Sequence, residues 1–65
     1  MTIDEAHELK EGDALIGGVS HTVWTIKRIK RFKSRPERII LELVKGQYGK
    51  LRINEQNLYA FERQP

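Results

Sequence analysis

Residues 22–44 read TVWTIKRIKRFKSRPERIILELV, and this stretch decides the fold. Its first part, Thr22–Phe32, is rich in β-branched and aromatic residues, which favours a strand. Strict alternation puts Val23, Thr25, Lys27 and Ile29 on one face. Trp24, Ile26, Arg28, Lys30 and Phe32 fall on the other, so neither face is apolar. One bulge near Lys27–Arg28 removes the conflict by bringing Trp24, Ile26 and Ile29 to the same side. The last part, Arg38–Val44, alternates cleanly. Ile39, Leu41 and Leu43 face one way, and Ile40, Glu42 and Val44 the other. Between the two strands, Lys30–Arg38 is expected to project as a loop. Pro36 drives Arg35 towards extended geometry, which excludes a tight two-residue turn.

Charge is distributed unevenly around this hairpin. Lys27–Arg38 carries seven cationic side chains against Glu37, a local net of +6. Residues 1–13 carry Asp4, Glu5, Glu8, Glu11 and Asp13 against Lys10, a net of −4. The overall +3 therefore conceals a bipolar molecule. A third of the chain is charged, yet Ile, Leu, Val and aromatics recur in clusters, which argues for a folded domain and against disorder.

Sixty-five residues make one domain at most, with a small core. There is no cysteine, so neither a disulfide framework nor a cysteine zinc site can assist it. That fits a reducing compartment, and a cytoplasmic location is expected. The acidic start, MTIDEAHELKEGD, does not read as a signal peptide. No apolar run approaches the roughly 18 residues of a membrane span.

Working outward, Thr2 followed by Glu5 fits a capping box, and Ile3, Ala6 and His7 or Leu9 would share one face of a one- to two-turn helix. So short a helix persists only if it docks; the alternative is a frayed tail. Glu11–Gly12–Asp13 reads as a turn, and Asp13–Ile16 as a first strand broken by Gly17–Gly18. Val19–His21 continues the connection. Lys45–Lys50 is a hairpin turn, and Leu51–Ile53 a strand with Arg52 outward. Asn54–Asn57 is a single 3₁₀ turn, and Leu58–Glu62 a closing strand with Tyr59 and Phe61 opposite Ala60 and Glu62. Gln64–Pro65 is tail.

The fold class read from this is all-β: five short strands with glycine punctuation. The pattern LKEGDALIGG…HTVWTIKRI…RIILELV…GKLRI…NLYAF resembles the SH3-like small barrel, the layout shared by Tudor, KOW-type and integrase C-terminal domains. The resemblance spans roughly Leu9–Phe61 and is one of architecture. It implies a five-stranded barrel over residues 12–63, preceded by the short N-terminal helical turn. The long cationic loop and the acidic N-terminal segment depart from that pattern. The Tudor resemblance also allows an aromatic cage for a methylated lysine, but the acids that usually accompany a cage lie elsewhere in this chain.

Chemistry-bearing groups are few. His7 and His21 fall on different elements and match no metal spacing, so they read as exposed polar residues. Ser20 and His21 are neighbours, and neighbours on a strand point apart. Ser34 has no base in view, and Asp4/Glu5 sit on a solvated acidic face. Neither catalysis nor a cofactor is expected. Gly46–Gln47–Tyr48–Gly49 reads as turn chemistry, because a backbone-clamping G-x-x-G loop lies between helices and not strands.

The basic hairpin carries the functional expectation. A charge run is ordinarily a solvated face. Here six excess charges in twelve residues repel one another, and an anionic partner would relieve that. Lys27, Arg28, Lys30, Arg31, Lys33, Arg35, Arg38, Lys50 and Arg52 are the candidate phosphate contacts, with Phe32 and Tyr48 for stacking. Trp24 and Phe61 are expected in the core. The reading is a non-enzymatic nucleic-acid-binding module, DNA or RNA, with little sequence preference, of the kind of small regulator encoded on a phage or plasmid. The alternative is a protein-interaction module. Its basic loop would meet an acidic protein surface, or its two charged ends would drive self-association.

Overall fold

A computed structural model describes residues 1–17 and 20–64. The chain runs α1 (Ile3–His7), β1 (Ala14–Gly17), β2 (Thr22–Arg31), β3 (Ile39–Lys45), β4 (Gly49–Asn54), a 3₁₀-helix (Glu55–Ala60) and β5 (Phe61–Arg63). The strands form one antiparallel sheet in the order β4-β3-β2-β1-β5. Among the described residues, β4 and β5 stand at the two ends of that order. No helix among the described residues is long and apolar enough to cross a membrane.

The central ladder follows from the hydrophobic alternation. Ile39, Leu41 and Leu43 are buried, while Ile40, Glu42 and Val44 on the opposite face are half-buried. In β2 the register against β3 slips between Ile26 and Arg28, leaving Lys27 as the additional residue. This is the expected bulge. Ile26 is buried opposite Leu43, and Ile29 packs on the core opposite Leu41. Trp24 is half-buried against the same core, and Phe61 is buried in it. Alternation resumes on the correct face because the bulge absorbs one residue.

Four expectations are corrected. Lys30 and Arg31 belong to the ladder, paired with Ile40 and Ile39, so the projecting loop is shorter than expected and begins at Phe32. Gly17 does not break β1; it is its last residue, paired with both Thr22 and Phe61. A Cβ there would lie 3.1 Å from Phe61 and 3.2 Å from the Trp24 indole nitrogen, so glycine lets two rings close over the backbone. Gly18 and Val19, in the expected break and connection, and Pro65, in the expected tail, lie outside the described residues. β4 begins at Gly49, before the expected Leu51.

The fourth correction concerns the segment before β5. Leu58–Ala60 is not strand but the end of a six-residue 3₁₀-helix. Side chains decide this locally. Asn54 accepts from the Gln56 amide at 2.8 Å, and Asn57 accepts in return from the Asn54 amide at 3.2 Å. Glu55 accepts from the Ile39 amide at 3.0 Å, fixing the helix to the start of β3. These bonds outweigh the apparent alternation. Leu58 is buried, whereas Tyr59 is 83% exposed.

At the other end, the Thr2–Glu5 capping box forms as expected. Ala6 and Leu9 are buried and Ile3 packs on the core, so the helix docks. The Met1 nitrogen donates to the carbonyls of Leu58 and Phe61 at 3.0 and 2.8 Å, tying this end to the 3₁₀-helix. Glu11–Gly12–Asp13 is a turn in which Gly12 adopts φ +94°.

Candidate functional site

The bulge sorts the cations of β2 between the two faces of the sheet. Beyond it, Arg28 pairs with Glu42 and Lys30 with Ile40, both on the side opposite the core. The ladder continues into β4. Glu42 pairs with Arg52, Val44 with Lys50 and Ile40 with Asn54. Three rows therefore cross the outer face: Lys30, Ile40, Asn54; then Arg28, Glu42, Arg52; then Thr25, Val44, Lys50. Lys27 sits at the bulge beside the middle row. Lys27, Arg28, Lys30, Lys50 and Arg52 are all exposed.

Two open depressions mark this face. Lys27, Glu42, Lys50 and Arg52 line one, and Arg38, Ile40, Arg52 and Asn54 line the other. Arg52 is common to both, so the cationic surface is continuous from the β2 bulge to the loop end at Arg38. The loop is built as two successive turns, with the Arg35 amide donating to the Phe32 carbonyl and the Arg38 amide to the Arg35 carbonyl. Lys33 and Arg35 are exposed on it.

These charges have not been neutralised by the protein itself. Among the described residues, the one carboxylate paired with a hairpin cation is Glu42, whose Oε2 lies 3.9 Å from Arg28 Nε. At that distance and exposure the pair is weak. The other ion pair, Arg63–Glu8 at 2.9 Å, joins β5 to the segment after α1. Exposed guanidinium and ammonium groups fixed on a sheet can seat an anion by charge and by N–H donation.

Two of the expected contacts already have partners within the protein, and a third lies apart from the loop. Arg31 falls on the inward side of β2, opposite Ile39. Its Nη2 donates to the Leu9 carbonyl at 2.7 Å and lies 3.4 Å from the His7 carbonyl oxygen. It therefore caps the open carbonyls after α1. Phe32 is half-buried beneath two cations, with Lys30 Nζ 5.5 Å and the Arg38 guanidinium carbon 4.8 Å from its ring centroid. Tyr48 is 91% exposed in the β3–β4 turn, at the opposite end of β3 from the cationic loop. Seven residues of strand separate them, roughly 20 Å. Tyr48 and Phe32 therefore stand at opposite ends of β3.

The residue that sequence reasoning passed over is Glu42. Its alternation was legible, together with Ile40 and Val44 on the same face. Its place between Arg28 and Arg52 needed the pairing of three strands.

The histidines stand apart from this face. His7 Nε2 hydrogen-bonds the Pro36 carbonyl, linking α1 to the loop. His21 is exposed in a turn at φ +50°. Ser20 Oγ hydrogen-bonds Thr22 Oγ1 at 2.9 Å. No family model, curated protein or solved structure matches the chain.

Proposed function

We propose that the chain is a small barrel of the SH3-like kind and a non-enzymatic module that binds nucleic acid by its phosphates. The barrel reading is supported by five short antiparallel strands with a 3₁₀ segment before the last. The functional reading is carried by one observation. Lys27, Arg28, Lys30, Arg38, Lys50 and Arg52 share a continuous outer surface on which, among the described residues, the one ion pair is the weak Arg28–Glu42 contact. Lys33 and Arg35 extend that surface along the loop. Phosphates dominate the affinity of such a surface, which makes binding steeply dependent on salt.

The test is a triple reversal, Arg28→Glu, Lys30→Glu and Arg52→Glu, followed by fluorescence anisotropy with labelled duplex and single-stranded oligonucleotides at low salt. All three side chains are exposed, so circular dichroism should show the fold intact. Wild-type affinity should fall with salt, with a log–log slope of about −0.9 per phosphate neutralised on duplex DNA. The triple variant should lose binding. Undiminished binding in a folded triple variant would falsify the proposal.

A second reading rests on the separation of charge. Asp4, Glu5, Glu8 and Glu11 are exposed on and after α1, which packs on the core side of the sheet. Arg28, Lys30, Lys50 and Arg52 occupy the other side, while Arg31 reaches the α1 side. This arrangement favours head-to-tail self-association between copies, or docking on an acidic protein. Sedimentation at low and high salt tests the former: a monomer at both would dispose of it.

A further inference from the structure

We infer, resting on the nucleic-acid reading above, that the ligand is double-stranded DNA and that β3 lies along its major groove, with β2 and β4 against the two phosphate walls. The arrangement of charge on the outer face points there. The cations are arranged as two ranks, Arg28 and Lys30 on β2 and Lys50 and Arg52 on β4, with Lys27 beside the first. Between the ranks runs β3, whose outward side chains are Ile40, Glu42 and Val44. Two strand spacings separate the ranks, roughly 10 Å. The major groove of B-form DNA is about 12 Å wide between its walls.

Glu42 fixes the orientation. A carboxylate at the centre of a cationic face would be repelled by any phosphate laid over it. Placed over a groove it meets base edges, where the exocyclic amine of cytosine is a hydrogen-bond donor suited to glutamate. The apolar Ile40 and Val44 on either side suit the thymine methyl group in the same groove. The deep, narrow major groove of A-form RNA would not admit this strand.

The aromatic residues argue against a single strand. Proteins that hold unpaired strands offer aromatic rings on which bases stack. None of the five aromatics is among the outward residues of β2, β3 and β4 that make up the three rows of this face. Trp24 and Phe61 pack on the core, Tyr59 is on the 3₁₀-helix and Tyr48 is in the far turn. Phe32, the nearest, already lies beneath Lys30 and Arg38.

The experiment compares a 20-base-pair DNA duplex (about two helical turns), its single strands and the matching RNA duplex by anisotropy at low salt, with wild type and Glu42→Gln. Methylation of guanine N7 by dimethyl sulfate then reports occupation of the major groove. The DNA duplex should bind about tenfold or more tightly than either alternative, with N7 protected. Glu42→Gln should shift the preference between G·C-rich and A·T-rich duplexes by about threefold and leave the salt slope unchanged, since Glu42 touches no phosphate. Equal or tighter binding of single strands or RNA overturns the inference and leaves the nucleic-acid reading standing. So does unprotected N7, or a uniform tightening by Glu42→Gln across all sequences. Failure of all three ligands to bind overturns the proposed function itself.

Discussion

Arg31 Nη2 donates to the carbonyl oxygen of Leu9 at 2.7 Å, across 22 positions of sequence. A residue from the midst of the cationic run is thereby a structural clasp between β2 and the segment after α1. A hydrogen bond from a charged donor contributes about 1.5–3 kcal/mol when well shielded, and Arg31 is exposed, so roughly 1–2 kcal/mol is expected here. Arg31→Ala should lower the urea midpoint accordingly. Its effect on nucleic-acid affinity should be smaller than that of Arg28→Ala. Equal stability of the two variants would deny Arg31 this role.

Gly17 is predicted to resist enlargement. Its added Cβ would meet Phe61 Cε1 at 3.1 Å and Trp24 Nε1 at 3.2 Å. Gly17→Ala should force both rings to shift by a few tenths of an ångström. Gly17→Val should displace them further and destabilise the β1–β5 junction. Trp24 fluorescence is the direct readout, with a change in emission maximum expected for the valine variant. An unchanged spectrum and melting temperature would contradict the close approach.

Leu41 lies at the middle of the buried row of β3, with no exposed surface. Replacing a fully buried leucine by alanine costs about 2–5 kcal/mol. A domain of this length has about 3–10 kcal/mol to lose, at the usual stability per residue. Leu41→Ala should therefore lose a large share of the stability, seen as a marked fall in melting temperature by circular dichroism. Leu51→Ala, at the exposed edge, should retain a cooperative melt.

Acid sensitivity follows from two glutamates. The Thr2 amide and hydroxyl hold Glu5 below the ordinary glutamate value. The Ile39 amide, and then the Glu55 amide itself, lower Glu55. A depressed carboxylate binds fewer protons in the folded state than in the unfolded state, so stability rises with pH through this window. The contribution is complete above the ordinary value of about 4.3 and is lost as pH falls through the lowered values. Urea midpoints measured at about pH 3 and pH 6 should differ less in a Glu5→Gln, Glu55→Gln variant than in the wild type. The same difference in both would remove these two groups from the account.

Much of the fold was legible because two segments admit one solution. RIILELV has a single apolar face, and TVWTIKRI has one only if a residue is skipped. The Thr2–Glu5 cap was legible for a similar reason, being a reciprocal pair at fixed spacing. The 3₁₀-helix was legible only in its first turn, because Leu58–Glu62 imitates a strand while Asn54, Asn57 and Glu55 act through backbone bonds that alternation cannot express. The cationic site was legible in composition and partly mis-assembled. Sequence proximity grouped Arg31 and Phe32 with their neighbours, whereas strand parity turns Arg31 inward and Lys30 and Arg38 cover Phe32. Strand pairing brings the expected Lys50 and Arg52 across from the far hairpin, with Glu42 between the ranks.

The irregularity at Lys27 has an evolutionary consequence. It works as a phase shifter between the two halves of β2, since Lys27 and Arg28 together occupy the space opposite one partner. Excising Lys27 would straighten the strand and keep Ile29 inside. Excising Arg28 would do the same, with Lys27 taking its place, whereas excising Ile29 would leave Arg28 or Lys30 in the inward position opposite Leu41. Loss of one codon should therefore be borne at Lys27 or Arg28 far better than at Ile29.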